Sequence, residues 1–302
     1  MAVSRVHSSD TQVFISGSTA GDSPQRLAMI QSLDFSTQKQ FTELQRLGDL
    51  HYCERILNSN QGTDVSMSVV LSTGMSGIDP FYTFQEQESG FLSTGSYGLR
   101  VADNAGENLI SGAYLTNYQL NGSVGQVVEG SVSYVADSIT FNSDNPLLAS
   151  EASSDGESFL SGVFQPADIL VTSSGQDFFS NPISMKEGVG TSGLYVQSFD
   201  VSVSVERAAI SRVGSRTPKF RYPQLPANGS MNFSLIKNKV TGLDLSSLVL
   251  ETGNIRVDLR NEEKETIMSF PTSGCSLTSI SESNSLDGNA TLDFSYTFSI
   301  TK

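Results

Sequence analysis

Residues 30–36 read Ile30-Gln31-Ser32-Leu33-Asp34-Phe35-Ser36, and residues 196–202 read Val196-Gln197-Ser198-Phe199-Asp200-Val201-Ser202. From Ser32 and Ser198 onward each stretch alternates a small polar residue with an apolar one, the pattern of a strand with one dry and one wet face. The two stretches differ only by exchanges of one apolar residue for another, 166 positions apart. Holding that offset, Arg46-Leu47-Gly48 falls on Arg212-Val213-Gly214 and Arg55 falls on Arg221. Val65, Met67 and Val69 fall on Met231, Phe233 and Leu235, with Ser68 on Ser234. A second block repeats 162 positions apart: Ser111-Gly112 on Ser273-Gly274, Leu115-Thr116 on Leu277-Thr278, and Ser133-Tyr134 on Ser295-Tyr296. Collinear blocks with matched alternation point to one domain written twice. Copy 1 is expected over residues 1–142 and copy 2 over 166–302, joined by a linker over 143–165 that is rich in Ser, Asp and Gly.

The strands of both copies follow the same rule. In copy 2, Phe199, Val201, Val203 and Val205 alternate with Ser198, Asp200, Ser202, Ser204 and Glu206. The last strand sets Leu292, Phe294, Tyr296, Phe298 and Ile300 against Asp293, Ser295, Thr297, Ser299 and Thr301. Between the first two repeated strands lies a long connection, over about 41–62 in copy 1 and 207–229 in copy 2. A tight hairpin needs only about 2–5 residues there, so a long connection present twice is expected to be functional. Much of the local positive charge sits in it: Arg46, Arg55, Arg212, Arg216, Lys219 and Arg221. Short helices are expected over 79–88, where Asp79-Pro80 supplies a start signal, and over 243–250. The closing hairpins are expected to turn near Asn121-Gly122 and Asp287-Gly288. The expected fold is mainly β: two tandem β-sandwich or partial-barrel domains, each with one short helix and a long loop between the first two repeated strands.

Composition narrows the function. The 302 residues include 18 Lys and Arg against 32 Asp and Glu, a formal net charge of −14. Binding to nucleic-acid phosphates needs clustered cations, which this balance argues against. No stretch reaches the roughly 18 apolar residues of a membrane-spanning helix, so no membrane partner is expected. Residues 1–14 carry no apolar run of the kind that directs secretion, and the two cysteines, Cys53 and Cys275, make no disulfide framework. Both features predict folding in a reducing cytoplasm.

No catalytic constellation, metal set or cofactor motif stands out, so no enzyme activity, no catalytic residue and no cofactor is expected. His51, Cys53 and Glu54 cluster, but they have no second ligand pair elsewhere, and copy 2 carries Thr217, Lys219 and Phe220 at the corresponding places. Residues 103–107 resemble a calcium loop only loosely and are expected to form a hairpin turn.

The motif Q-S-[LF]-D-[FV]-S, followed in each copy by [LI]-x-R-[LV]-G at residues 44–48 and 210–214, resembles the tail tube (major tail) proteins of long-tailed bacteriophages. The order of strands, basic connection and closing hairpin is similar too. The resemblance implies a structural virion protein, assembled in the host cytoplasm and resident in the virion tail. It implies self-assembly into a pseudo-six-fold ring of three chains, with rings stacked into a tube beside other tail proteins. DNA would pass through without specific binding. In such a tube Ser32, Asp34, Ser36, Ser198, Asp200, Ser202 and Ser204 would line the lumen. The connections bearing Arg46, Arg55, Arg212, Arg216, Lys219 and Arg221 would reach the adjacent ring, with pairing inside the connection as the alternative for the arginines. Two other functions fit the same residues less fully. One is a tail terminator, distal tail or baseplate ring protein of the same fold, and the other is a β-sandwich adhesin or carbohydrate-binding protein. The absence of Trp weakens a sugar-stacking site. Strand edges with few guarding charges or prolines are expected to continue the sheet from copy to copy and from chain to chain, closing a large barrel.

Overall fold

The computed structural model describes residues 11–16, 25–27, 29–45, 52–71, 96–103, 105–143, 169–174, 183–184, 194–213, 215, 217–237, 253–260, 266–283 and 290–300. In chain order the first strands are β1 (Gln12–Ser16), β2 (Gln25–Leu27), β3 (Ile30–Gln45), β4 (Tyr52–Val70), β5 (Tyr97–Asp103), β6 (Gly106–Ser123), β7 (Glu129–Ala136) and β8 (Ser138–Asn142). They are followed by β9 (Ile169–Ser174), β10 (Ile183–Ser184), β11 (Leu194–Ser204), β12 (Arg207–Ile210), β13 (Phe220–Pro223), β14 (Ala227–Lys237), β15 (Gly253–Arg260), β16 (Thr266–Ser283) and β17 (Thr291–Ile300). The fold is mainly β. The helices expected over 79–88 and 243–250, and the linker from 144 onward, lie outside the described residues.

Eight strands form a central antiparallel sheet in the order β3-β4-β7-β6-β11-β14-β17-β16. The first four come from copy 1 and the last four from copy 2, in corresponding order. The correspondence reaches the irregularities. The register of β3 on β4 slips at Gln31, and that of β11 on β14 slips at Gln197. The register of β6 on β7 slips at Thr116, and that of β16 on β17 at Thr278. At these last two bulges the threonine hydroxyl donates to the carbonyl of the neighbouring strand, Thr116 to Ser133 at 3.0 Å and Thr278 to Ser295 at 2.9 Å. Bulges re-aim a strand and are placed features of a fold. Here they recur at the 166 and 162 spacings read from the sequence.

β6 and β16 each belong to two layers. The N-terminal part of β6 pairs with β5 and β8, in an outer layer that continues to β1 and β2. The N-terminal part of β16 pairs with β15, in a layer that continues to β9 and β10. Each strand crosses between layers beside a glycine in the left-handed region, Gly112 at φ 65° and Gly274 at φ 64°. A side chain there is strained, which explains the repeated Ser-Gly pair. Between the layers lies one contiguous apolar core. Across the central sheet its rows run Leu33, Met67, Val132, Tyr118, Val203, and then Leu120, Val201, Met231, Tyr296. All but Leu33, which packs against its margin, are buried in that core.

Two sequence expectations are corrected. The long connections are not loops where they are described: residues 30–45 and 52–70 pair as one extended hairpin, and β12 pairs with β13. Three register shifts along β3, beyond Thr37, hide the alternation that would have announced a strand. Asn121-Gly122 is not the turn. Those residues stay in β6 because β11 pairs with them, Asn121 with Asp200 and Gly122 with Phe199. The chain reverses later, where Gln126 N–H donates to the Ser123 carbonyl at 3.1 Å around Gly125, at φ 84°.

Candidate functional site

The alternation that builds the core also builds a polar face on the other side of the sheet. One row across it runs Ser32, Ser68, Ser131, Gln119, Ser202, Ser230, Thr297. The next runs Glu129, Asn121, Asp200, Asn232, Ser295. Hydrogen bonds tie neighbours along and between these rows. The hydroxyls of Ser32 and Ser68 lie 2.7 Å apart, and those of Ser202 and Ser230 lie 2.8 Å apart. Gln119 Nε2 donates to Asp200 Oδ2 at 2.6 Å, and Asn232 Nδ2 reaches Asp200 Oδ1 at 3.4 Å. Asp34 pairs with Ser66 and Ser36 with Asp64, while Ser198 and Ser204 continue the face along β11.

The seven residues Ser32, Asp34, Ser36, Ser198, Asp200, Ser202 and Ser204 therefore share one face of one sheet. The face carries the carboxylates of Asp34, Asp64, Glu129, Asp200 and Asp293, and no Lys or Arg among its described side chains. It is concave at the join between copies, where a trough of about 630 Å³ lies over Asn121, Asp200, Asn232 and Asp293. A phosphate polyanion would meet no cation on these residues. The face offers hydroxyl and amide groups for water and a modest negative potential.

The basic residues distribute differently. Arg221, on β13, is 6% exposed and pairs with Asp137 of copy 1, with Nε 2.9 Å from Oδ1. Burial raises the Asp137 carboxyl above its ordinary value, while the Arg221 hydrogen bond and charge oppose the rise. Arg207, on β12, donates from Nε to the Leu115 carbonyl at 3.0 Å and lies over the Tyr114 ring at 5.9 Å. Burial pushes its guanidinium down to about 10, still charged at neutral pH. Backbone bonds complete the attachment, with Val205 N–H donating to the Thr116 carbonyl at 2.8 Å. The β12–β13 hairpin of copy 2 is thus clasped onto copy 1, and Arg221 is engaged within the chain. Arg212 is exposed, and exposed Lys219 lies over the Phe220 ring at 4.9 Å. Arg55 lies in β4 opposite Glu43. Arg46 and Arg216 lie outside the described residues.

Sequence reasoning missed Asp137 and Arg207. Asp137 lies 84 residues from its partner in sequence, so no local pattern marks it. Asp293 is legible as a wet-face position of the last strand, whereas the sequence reading puts Asn121 at a turn and does not single out Gln119 or Glu129. At residues 103–107 the structure has the expected turn: Asp103 Oδ1 accepts from the N–H groups of Ala105 at 2.7 Å and Gly106 at 3.1 Å. His51 lies outside the described residues.

No family model matches the sequence, and no curated protein matches it. Among solved structures, the chain is similar to one in the cryo-EM structure of the anti-feeding prophage baseplate, 6-fold symmetrised. The TM-score is 0.36 and the identity 11%, covering 47% of this chain and 97% of that one. It is also similar to a chain in the tail of an empty GTA particle with C6 symmetry. There the TM-score is 0.31 and the identity 11%, covering 44% of this chain and 92% of that one.

Proposed function

We propose that the chain is a structural, non-catalytic subunit of a phage-type tail tube, in which three chains close a pseudo-six-fold ring and rings stack into a conduit for DNA. The supporting observation is the join between β6 and β11. Copy 1 and copy 2 already form one continuous sheet through residues 117–123 and 198–204. Among the described strands, those left at the ends of that sheet are β3, which corresponds to β11, and β16, which corresponds to β6. A join of the same kind between β16 of one chain and β3 of the next is head-to-tail, and such an interface generates a ring when its rotation closes. The polar face, which carries no Lys or Arg among its described side chains, would then be continuous around the lumen, where clustered Lys or Arg would hold DNA by its phosphates.

The test is imaging of the purified chain by negative stain. Rings or tubes with a central pore are expected, and a persistent monomer without a pore overturns the proposal. The lumen assignment has its own test: Asp34→Lys with Asp200→Lys in assembled particles should leave tubes intact and slow DNA passage. Unchanged ejection kinetics would place those faces elsewhere.

A further inference from the structure

The two joins of such a ring are not equivalent. Within the chain, Thr116 and Thr278 mark the same bulge, and Gln31 and Gln197 mark another, so the internal join transfers residue by residue to the end strands. Internally, Gln119 pairs with Ser202, Leu120 with Val201 and Tyr118 with Val203. The spacings of 162 and 166 carry these pairs to Ser281 with Ser36, Glu282 with Phe35, and Ile280 with Thr37 between chains. On the core side, the internal join is apolar throughout: Tyr118, Leu120 and Val201 are 0% exposed and Val203 is 1% exposed. The transferred join sets a carboxylate where Leu120 stands and a hydroxyl where Val203 stands.

The clasp differs as well. Arg207 corresponds to Phe41, which is 54% exposed, and Tyr114 corresponds to Ser276. Asp137, the half-buried partner of Arg221, corresponds to Ser299. At the chain-to-chain join the stacked arginine has no counterpart, and Arg55, which corresponds to Arg221, has Ser299 in the place of its aspartate partner.

We propose that Glu282 is the guard of the chain-to-chain edge: it weakens pairing of β16 with the next chain's β3, in the register Ser281 opposite Ser36, and so keeps free chains apart until assembly. The proposal rests on the ring function and identifies the residue that regulates it. Glu282 is exposed and stands opposite buried Leu292, on the core side of the sheet. An inward-facing charge on an end strand is a known device against premature edge pairing, because closing the join takes the carboxylate, together with its contacts within the chain, out of water. The occupant of this edge is a second copy of the chain, because the same sheet already accepts its own copy 2 on the corresponding edge.

The experiment compares the full chain with Glu282→Leu and Glu282→Gln by sedimentation, and maps register with paired cysteines. Leu at 282 should lower the concentration at which rings form by about tenfold or more, with Gln intermediate, as expected for removing a carboxylate that must be desolvated. Ser36→Cys with Ser281→Cys should give intermolecular disulfides on oxidation, while Asp34→Cys with Ser281→Cys, two residues out of register, should not. Gln119→Cys with Ser202→Cys is the matching cross-link inside one chain and reports that the fold is intact. Association that is unchanged or weaker in Glu282→Leu overturns the guard while leaving the ring standing. Cross-linking only through the shifted pair overturns the register. Absence of rings in every variant, with the internal cross-link forming normally, overturns the ring function itself.

Discussion

Val201 and Phe35 occupy the same position in the two copies, yet Val201 is 0% exposed and Phe35 is 41% exposed. Their neighbours toward the next strand of the sheet, Met231 and Val65, are equally buried. The difference lies on the other side. β11 has β6 beside it, whereas β3 has only β4 beside it among the described strands. An apolar residue on an alternating strand is therefore core or surface according to whether a neighbour covers the edge, and the sequence of the strand alone does not decide it.

The comparison breaks most visibly with a charge at the covered position. Val201→Asp places a carboxylate in the core, and it is expected to cost more than about 4 kcal/mol or to prevent folding. Chemical denaturation followed by circular dichroism measures this. A loss below about 1 kcal/mol would mean that the β6–β11 join does not exclude water.

The clasp ranks next. Arg221→Ala removes the partner of Asp137 and leaves a half-buried carboxylate, expected to cost about 2–4 kcal/mol at neutral pH. The pH dependence carries a sign. The folded Asp137 carboxyl already sits above its ordinary value through burial, so it binds a proton more readily folded than unfolded. The destabilisation it causes is absent below the unfolded value and grows as pH rises through the folded one. Removing Arg221 takes away the groups that hold that value down, so the window extends upward. The deficit of Arg221→Ala against the parent chain should therefore be larger at pH 7 than at pH 4. An equal deficit at both would mean that the ion pair is not what the arginine contributes.

Smaller effects are expected on the polar face. Gln119→Ala removes a hydrogen bond to the Asp200 carboxylate across the join, in a setting open to water, and should cost about 1 kcal/mol. A deficit near zero would show that water replaces the amide without loss.

How far these contacts could be foreseen follows from their distance in sequence. Alternation around Ser32–Ser36 and Ser198–Ser204 gave the faces, and the two spacings gave the correspondence of strands, because period and repeat are local properties. The partner of β11 was not local. Asn121-Gly122 has the composition of a turn but is held extended by strands from both sides. Residues 41–45 and 52–62 hid parts of β3 and β4 because bulges shifted their period. Arg221, grouped by sequence with other basic residues as a contact for another ring, instead meets Asp137 across 84 residues, through a hairpin whose docking is set by tertiary packing.

The uncovered position gives the smallest effect on stability and the sharpest contrast. Phe35→Asp alters a side chain that already meets water, so the isolated chain should change by no more than about 0.5 kcal/mol. Its effect belongs to the assembled state. In the transferred register residue 35 lies opposite Glu282 of the next chain, and two carboxylates facing each other across paired strands repel. Phe35→Asp should therefore melt like the parent chain while failing to form rings. Combined with Glu282→Lys, it should recover rings, since opposite charges then face across the same pair. Recovery requires Phe35 and Glu282 to be neighbours between chains, which no effect on the fold of a single chain could mimic. If Phe35→Asp assembles as readily as the parent, the end strand β3 is not the edge at which chains meet.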